Sequence, residues 1–563
     1  MMVLGFILFL VLIARIAHWT IFRQPYYKEL ARNNFIHPQR LGAPRGAIYS
    51  RDGKPLAVNR RTYSIWISPF RVSRRELHET VVFLENILGR DFSEKEREAL
   101  DLRPRWRRKL LARNLSLETV TPILERRWSL DGLRITTDFK RYYPGGEVCG
   151  HVMGYLGRLS PQNLSAYLEK GYARDDLVGV AGIEHEYEDL LRGSPGREIV
   201  QRDARGRFCK TLRTQTALPG NDLHLTIDLD FQRFATYKLG QQRGVILVMN
   251  PLSGKMYVMV SYPSYDSNDP AAVSKPSRPV SYLNKAIQEN YPPASTFKLV
   301  TAVAGFQAGV NNEKKFLCEG DYYLPNWKRP YKCDMRSGHG WLNLEDALKY
   351  SCNIFFYQSA RRIGAPALLQ WAIRFGYGTR TGIDLPYEIA GILPVQSADS
   401  MLPGNLLYLS IGQGQISATP LQVLLSYAIF ANGGKRITPH LLDYYKGADH
   451  DRHYNMNETD QISLAAWQRQ VVLNGLVKVV NSRGGTASRV DFPKSWKVAG
   501  KTGTAERSGR EDDAWFVCFA PYDAPEVAVL VFLEEGGFGG SIAAPVAREI
   551  MDYYFLNRSR FVQ

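Results

Sequence analysis

The chain has 563 residues, too many for one hydrophobic core, so two or three domains are expected. Hydrophobic residues make up 45% of the chain and aromatic residues 12%, which excludes a disordered protein. The net charge of +17 would suit nucleic acid, but the basic residues form neither a tail nor a nucleic-acid module, and we expect no nucleic-acid partner. The excess of basic residues has two interpretations: a solvated basic face, or a surface that attracts anionic lipid or a pyrophosphate-bearing substrate.

The first 22 residues are nearly all apolar, interrupted by Arg15 and His18. About twenty such residues span a bilayer, so residues 1–22 predict a single transmembrane anchor. A cleaved signal peptide is the alternative, but it would have basic residues before the apolar run and a small-residue cleavage site after it. Neither feature is evident. No Lys or Arg precedes the segment, so the positive-inside rule alone would favour an N-terminus outside the cytoplasm.

A Pro-Gly-Asn-Asp turn at residues 219–222 marks a boundary between two large regions, 23–220 and 221–563. The first region carries no plausible pair of nucleophile and base, so we expect it to be structural or allosteric. In the second, residues 244–260 predict a hairpin and residues 527–533 predict an inner strand. The fold class predicted is α+β, with a central antiparallel sheet between helices.

The strongest chemical signal begins at Ser295, which follows Pro292 and Pro293 and precedes a predicted helix over residues 296–308. Lys298 lies one turn further along the same face, within reach of the serine hydroxyl. Serine becomes a good nucleophile when a base takes its proton, and lysine can act as that base if burial or a second cation lowers its pKa. Alone, the Ser-x-x-Lys pattern is common by chance.

Two further motifs strengthen this hypothesis. They are Ser351-Cys352-Asn353, within a helical pattern over residues 344–360, and Lys501-Thr502-Gly503-Thr504, after the strand-like residues 496–499. Three such motifs in this order are typical of the penicillin-recognising serine enzymes.

On these motifs the chain resembles the class B penicillin-binding proteins over nearly its whole length. The stretches 42–59, 143–160 and 179–196 are similar to the pedestal motifs of that family, although Ser50 stands where the family usually has Asp. The resemblance implies an anchor over residues 1–22, an elongated pedestal domain over 23–220 and a transpeptidase domain over 221–563. It also implies a single-pass protein of the bacterial inner membrane, with its catalytic domain in the periplasm.

The resemblance implies a D,D-transpeptidase that crosslinks peptidoglycan stem peptides ending in D-Ala-D-Ala and that β-lactam antibiotics inhibit. Ser295 would be the nucleophile and Lys298 its base. Ser351 would relay a proton to the leaving group, and Asn353 would orient Lys298. Lys501 would help to keep Lys298 neutral. The substrate carboxylate would bind along Lys501, Thr502, Gly503 and Thr504.

Residues 535–541 and the Ala-Ala-Pro at 543–545 resemble the elongation type within class B. That type implies a RodA-type glycosyltransferase and an MreC-like elongation scaffold as partners. The glycine run lacks the Gly-Lys-Ser/Thr ending of a phosphate loop, so no nucleotide is expected. The alternatives are a division-type transpeptidase and a catalytically silent β-lactam sensor or scaffold. Hydrolysis would need a base such as Glu388, which we interpret as structural.

Of six cysteines, three cluster with a histidine between Ser295 and the end of the second motif. The set is Cys318, Cys333, His339 and Cys352. Three sulfurs and one imidazole can form a four-coordinate structural zinc site, and elongation-type relatives have metal-ligand residue types at similar positions. A Cys318–Cys333 disulfide with Cys352 buried is the alternative. Cys149, Cys209 and Cys518 have no evident partner, and Cys518 is expected in the core.

Overall fold

The computed structural model describes residues 2–26, 36–67, 72–101, 109–130, 132–202, 208–269, 281–446, 451–453 and 460–561. The chain divides into two compact units, and each is discontinuous in sequence. One comprises residues 1–46, 58–142 and 189–221, and the other comprises residues 47–57, 143–188 and 222–563. The predicted domain limits of 23–220 and 221–563 stay a prediction. Residues 103–108, a run of four arginines, one proline and one tryptophan that contributes to the net positive charge, lie outside the described residues.

The apolar N-terminal segment forms helix Met2–Ala17, which continues as a short π-helix, His18–Phe22. Among the described residues, no helix combines the length and the apolar character needed to cross a bilayer. The single-pass anchor stays a prediction.

The first unit contains two antiparallel arrangements of strands. In one, Gly196–Arg202 lies between Ile36–Leu41 and Phe208–Gln215. In the other, Pro55–Ile67 pairs from Val58 onward with Leu133–Tyr142 and with Lys109–Leu115.

Three helices of this unit are Arg74–Leu88, Glu94–Asp101 and Leu117–Glu125. The first begins with a capping box, because Ser73 Oγ accepts from the Glu76 N–H and the Glu76 carboxylate accepts from the Ser73 N–H. Buried aliphatic side chains such as Ile65, Leu84 and Ile123 form the core.

The second unit is built on a five-stranded antiparallel sheet. Its strands, in spatial order, are Met256–Tyr262, Gly244–Met249, Val527–Leu533, Asp513–Ala520 and Ala499–Ala505. The third motif therefore lies on an edge strand, with Gly503 opposite Trp515. Every residue of Val527–Leu533 is buried, because helices cover both faces of the sheet.

One face of this sheet packs against Leu229–Leu239 and Ala543–Leu556, whose buried side chains join alternate residues of the strands, Cys518 among them. The other face meets helix Pro420–Ala431, and Phe430 lies 6.4 Å from Phe519 between ring centroids. The unit has the predicted α+β architecture with an antiparallel sheet between helices.

The remaining helices and strand pairs of this unit surround the sheet. The α-helices are Gly150–Met153, Leu164–Glu169, Gly182–Glu186, Lys285–Gln288, Lys298–Gln307, Leu344–Lys349, Asn353–Ile363, Ala365–Arg374, Pro403–Ser410 and Ala466–Asn481. The short strand pairs are Leu156–Arg158 with Leu177–Gly179, Phe316–Cys318 with Gly340–Leu342, Asp321–Tyr322 with Tyr331–Lys332, and Lys435–Arg436 with Asp460–Gln461. Asp222–Leu225 lies between Ile48–Tyr49 and Leu442–Lys446.

Two predicted helices begin or break differently from expectation. The segment after Pro293 starts as a 3-10 turn, Ala294–Phe297, and becomes α-helical only at Lys298. The helical pattern over residues 344–360 is divided in the structure into two helices, Leu344–Lys349 and Asn353–Ile363, separated at Ser351. Ser351 has a φ of +54°, a left-handed value that no α-helix can contain.

Candidate active site

The first motif places Ser295 in the 3-10 turn Ala294–Phe297, where it is partly exposed between buried neighbours. Two prolines before this turn restrict the backbone, and the Ala294 N–H donates to the Gly412 carbonyl at 2.8 Å. The hydroxyl of buried Tyr427 donates to the Thr296 carbonyl at 2.9 Å. The nucleophile candidate thus lies on a segment fixed from both sides.

Lys298 begins the following helix, and its side chain is fully buried. Its Nζ donates to the Ser351 carbonyl at 2.6 Å, to Asn353 Oδ1 at 2.6 Å and to Ser351 Oγ at 3.2 Å. Within the described part of the chain, the hydrogen-bond partners of this amine all belong to the second motif. Burial lowers the pKa of Lys298 from its usual range, as a lysine acting as a base requires.

The second motif lies at the break between two helices. The left-handed backbone of Ser351 interrupts the helical conformation. Cys352 caps the next helix, because its side chain accepts a hydrogen bond from the Phe355 N–H. Asn353, the first residue of that helix, also donates from Nδ2 to the Lys332 carbonyl and to Asp334 Oδ1, both at 3.4 Å. These contacts orient the amide so that its oxygen faces Lys298.

The third motif supplies a second buried amine from strand Ala499–Ala505. Lys501 Nζ donates to Ser351 Oγ at 2.9 Å and to the Thr502 carbonyl at 3.0 Å. Burial, and then the positive charge of Lys298, hold the pKa of Lys501 well below its usual range. One serine hydroxyl therefore bridges two buried lysines, an arrangement suited to proton transfer.

The two threonines of the third motif form hydrogen bonds with groups of other loops. Thr502 Oγ1 lies 2.6 Å from Thr486 Oγ1, and Thr504 Oγ1 accepts from the Gly539 N–H at 3.4 Å. A Cβ on Gly503 would lie only 3.0 Å from Trp515 Cβ and 3.1 Å from Thr296 Cγ2, so the glycine allows this strand to lie close to the nucleophile segment.

Sequence reasoning missed Thr486, Lys332 and Asp334. Lys332 participates through its main-chain carbonyl, which no side-chain pattern reveals. Thr486 follows Gly484 and Gly485 in a loop, and nothing in its type or spacing singles it out.

The structure brings all four predicted metal-ligand residues together. Cys318, Cys333, His339 and Cys352 place one ligand atom each within 4.8 Å of the others. The three sulfurs are free thiols, and Cys333 Sγ lies 3.9 Å from Cys352 Sγ, far beyond a disulfide bond. Hydrogen bonds from Cys352 and His339 lower the pKa of Cys333, which favours the thiolate that binds metals. The donor set fits a tetrahedral zinc ion.

Two further cysteines lie apart from this cluster. Cys149 is buried, and Cys518 lies in the sheet core with its Sγ 3.5 Å from Met551 Sδ. The side chain of Cys209 lies outside the described residues.

Glu388, the candidate base for hydrolysis, is buried and fully engaged with its own loop. Its carboxylate accepts from Thr381 N at 2.8 Å, Thr381 Oγ1 at 2.6 Å and Gly382 N at 3.1 Å. This arrangement fits the structural role expected for it.

Comparison with known families agrees with this geometry. Residues 244–552 match the penicillin binding protein transpeptidase domain, and residues 40–225 match the penicillin-binding protein dimerisation domain. The chain is 33% identical to the peptidoglycan D,D-transpeptidase MrdA of Haemophilus influenzae, over 94% of this chain and 87% of that protein. Its identity to MrdA of Escherichia coli is 31%, over 97% of this chain and 92% of the relative.

Solved structures give the same relationship. A complex of PBP2 and MreC from Helicobacter pylori superposes with a TM-score of 0.80 at 26% identity, covering 93% of this chain and 99% of that chain. PBP2 of Pseudomonas aeruginosa in complex with WCK 5153 gives 0.71 at 28% identity, covering 94% and 98%. With these matches extending over nearly the whole chain, and with three motifs converging on one buried site, the chain belongs to the penicillin-binding protein transpeptidases, as an elongation-type peptidoglycan D,D-transpeptidase.

Proposed function

We propose that the protein crosslinks peptidoglycan through an acyl-enzyme on Ser295. The observation that carries this proposal is the Ser351 hydroxyl held between Lys298 and Lys501, both fully buried and both with a lowered pKa. Two buried cations at one hydroxyl repel each other, which favours a neutral amine ready to accept a proton. The substrate is a stem peptide ending in D-Ala-D-Ala.

Acylation would proceed as follows. Ser295 Oγ attacks the carbonyl of the penultimate D-Ala while Lys298 takes the serine proton. The peptide bond breaks, and Ser351 donates its hydroxyl proton to the nitrogen of the departing D-Ala while it accepts the proton held by Lys298. The backbone N–H groups of Ser295 and Thr504 would stabilise the developing oxyanion, and one such donor is worth about 3 kcal/mol.

Deacylation would use the amine of a second stem peptide. This amine attacks the ester carbonyl, and the new amide bond forms as the ester bond breaks. The proton that the amine loses passes to Lys298 and from there to Ser295 Oγ. Asn353 keeps Lys298 oriented throughout. Lys501, Thr502 and Thr504 would bind the terminal carboxylate of the donor peptide, while Gly503 leaves room for it along the strand.

Intact-protein mass after incubation with a penicillin tests this chemistry. We expect a single stable adduct on the wild type and none on Ser295→Ala. Rapid turnover without a lasting adduct would assign a hydrolase instead. No adduct on the folded wild type would favour a catalytically silent scaffold.

We further propose that residues 1–22 anchor the protein in the inner membrane, with the catalytic region in the periplasm. The nearly continuous apolar sequence supports this placement. Fractionation of cells that produce the full chain or a chain lacking residues 1–22 tests it. Recovery of both forms in the soluble fraction would contradict it.

As partners we propose an MreC-like scaffold and a RodA-type glycosyltransferase. The support is the similarity to the Helicobacter pylori PBP2 and MreC complex, and to a peptidoglycan synthase complex that matches with a TM-score of 0.72 at 27% identity. Co-purification of each partner with the full chain in detergent tests this assignment.

We also propose one structural zinc ion held by Cys318, Cys333, His339 and Cys352. The clustered ligand atoms and the free thiols support it. When bound, zinc would join the loop that carries Cys333 and His339 to the start of the helix after Ser351. Elemental analysis of the purified protein should give about one zinc per chain. A zinc-free protein with a mapped Cys318–Cys333 disulfide would contradict the proposal.

A further inference from the structure

A buried ionic cluster lies next to the segment that leads into Ser295. We call it the Lys285 junction, and it comprises Lys285, Glu289, Tyr291 and Glu534. Lys285 is only 1% exposed, and its Nζ donates to Glu534 Oε1 at 2.6 Å and to Glu289 Oε2 at 2.8 Å. Glu534 also accepts from Arg243 Nε at 2.7 Å, so two cations balance two carboxylates. A buried charge is tolerated when it is paired in this way.

Tyr291 connects the junction to the main chain before the nucleophile. Its hydroxyl donates to Glu534 Oε1 at 2.7 Å and also contacts the Glu289 carboxylate. Burial and the two carboxylates raise the pKa of Tyr291, so the hydroxyl keeps its proton and stays a donor. The Tyr291 main chain exchanges two hydrogen bonds with Ala418, and its ring centroid lies 4.3 Å from that of Phe532.

Only two prolines and Ala294 separate Tyr291 from Ser295. Each proline has a fixed φ, so fewer backbone torsions of this segment are free to absorb a displacement of Tyr291. Ala294 has a φ of +49°, a left-handed conformation that alanine avoids. Strained residues of this kind persist when the surrounding structure holds them in place. The Ala294 N–H bond to Gly412 is one such restraint, and the fixed Tyr291 side chain is another.

We infer that the Lys285 junction positions Ser295 for acylation by fixing Tyr291, and through Pro292 and Pro293 the strained backbone of Ala294. The inference rests on the proposed role of Ser295 as nucleophile. Lys285, Glu534 and Tyr291 are positioning residues, since they act through the main chain. Buried ion pairs contribute little net stability compared with apolar residues of similar size, so geometry is the better reason for this junction.

The test measures acylation of the full chain by a fluorescent penicillin, resolved into the binding constant and the first-order acylation rate. Tyr291→Phe removes one hydroxyl and leaves every charge in place. We expect the acylation rate to fall about tenfold with the binding constant unchanged, because small misplacements of reacting groups cost rate. Lys285→Met should give a similar loss and Lys285→Arg a smaller one.

The matched control is Lys238→Met, which removes a paired lysine of the helix Leu229–Leu239 that lies outside the junction. Its acylation rate should equal that of the wild type. A purely structural role for the junction predicts lower melting temperatures and an unchanged rate per folded molecule, and that result would overturn the inference. If Lys285→Met fails to fold, Tyr291→Phe alone decides the question.

A double-mutant cycle tests the link to Ala294. Glycine adopts positive φ readily, so Ala294→Gly removes the strain that the junction opposes. In the Ala294→Gly background, the loss of acylation rate caused by Tyr291→Phe should be several-fold smaller than in the wild-type background. Fully additive effects would show that the junction does not act through Ala294. Failure of the wild type to form any Ser295-dependent adduct is a separate outcome, and it would refute the proposed function itself.

Discussion

The Nζ atom of Lys501 lies 2.9 Å from the hydroxyl oxygen of Ser351. The Nζ atom of Lys298 lies 3.2 Å from the same oxygen, so this hydroxyl bridges amines that come from two distant parts of the sequence. Because both amines are fully buried, each extra proton on the pair is costly. The pair therefore sets the pH range in which the base is available.

We expect acylation by a penicillin to accelerate with rising pH along a limb whose midpoint lies below 10.5, the ordinary pKa of lysine. The sign follows from the role of Lys298, which accepts a proton only when neutral, and from burial, which lowers its pKa. Rate constants measured between about pH 5 and pH 10 would define the limb. A midpoint at or above the ordinary lysine value would contradict this assignment.

Lys501→Met should move that limb to higher pH, because the two buried ammonium groups repel each other and removing one lets the pKa of the other rise. The matched control is Lys497→Met, which removes an exposed lysine paired with Asp523. The control should keep the wild-type profile. An unchanged midpoint in Lys501→Met would mean that Lys501 acts only in substrate binding.

The left-handed backbone of Ser351 makes a second prediction, on stability. Ser351→Ala and Ser351→Gly both remove the hydroxyl, so both should lose most of the acylation rate. Glycine also relieves the positive φ, and it should exceed the alanine variant in free energy of unfolding by about 1 kcal/mol. Thermal or denaturant unfolding of the two variants checks this difference. Equal stabilities would mean that the backbone at Ser351 carries no strain.

The helix break at Ser351 could not be predicted from the sequence. The apolar periodicity of residues 344–360 is compatible with one continuous helix, and the break at Ser351 depends on contacts from Lys298 and Lys501, far away in the chain. The three motifs themselves were accessible, because their residue types and order are distinctive. Their convergence on one hydroxyl follows from the placement of the edge strand Ala499–Ala505 beside the 3-10 turn Ala294–Phe297, which only the fold provides.

The sheet was predictable for a different reason. Strand Val527–Leu533 is apolar throughout, and the turn at residues 251–254 separates two strand-like runs. The Lys285 junction was not predictable, since Glu534 and Lys285 are separated by 249 positions and neither belongs to a motif. Pairing of buried charges depends on tertiary contacts that local patterns do not encode.

Zinc content gives a third prediction. Cys318→Ala should lower zinc from near one equivalent to near none and should lower the melting temperature, because a ligand of the proposed site is lost. Cys149→Ala, which removes another buried thiol outside the cluster, should keep the metal. Elemental analysis and thermal unfolding of both variants provide the measurements. Equal zinc in the two variants would place the metal elsewhere or exclude it.

Buried His151 makes stability depend on pH. Burial lowers its pKa from 6.5 to about 4, while its Nε2 lies 3.0 Å from the Ser281 carbonyl. A histidine with a depressed pKa in the folded state contributes stability that is fully present above pH 6.5 and is lost as the pH falls through about 4.

As the pH is lowered from 6.5 to about 4, the melting temperature of His151→Gln should therefore fall less than that of the wild type. The control is His78→Gln, at an exposed position of the helix Arg74–Leu88, and it should follow the wild type. Parallel curves for all three proteins would refute the linkage to His151.

The role of Glu388 distinguishes a transpeptidase from a hydrolase, because hydrolysis of the adduct would need a base. Because its carboxylate accepts three hydrogen bonds from Thr381 and Gly382, Glu388→Gln should reduce the free energy of unfolding by about 1–3 kcal/mol. The lifetime of the penicillin adduct, followed by intact mass, should stay the same within about twofold, since the Glu388 carboxylate is buried and bonded to Thr381 and Gly382 of its own loop. The acylation rate should also be unchanged. Loss of stability with a constant adduct lifetime would assign Glu388 to the fold, whereas a lifetime extended by about tenfold or more would make it a base for hydrolysis and contradict the structural role.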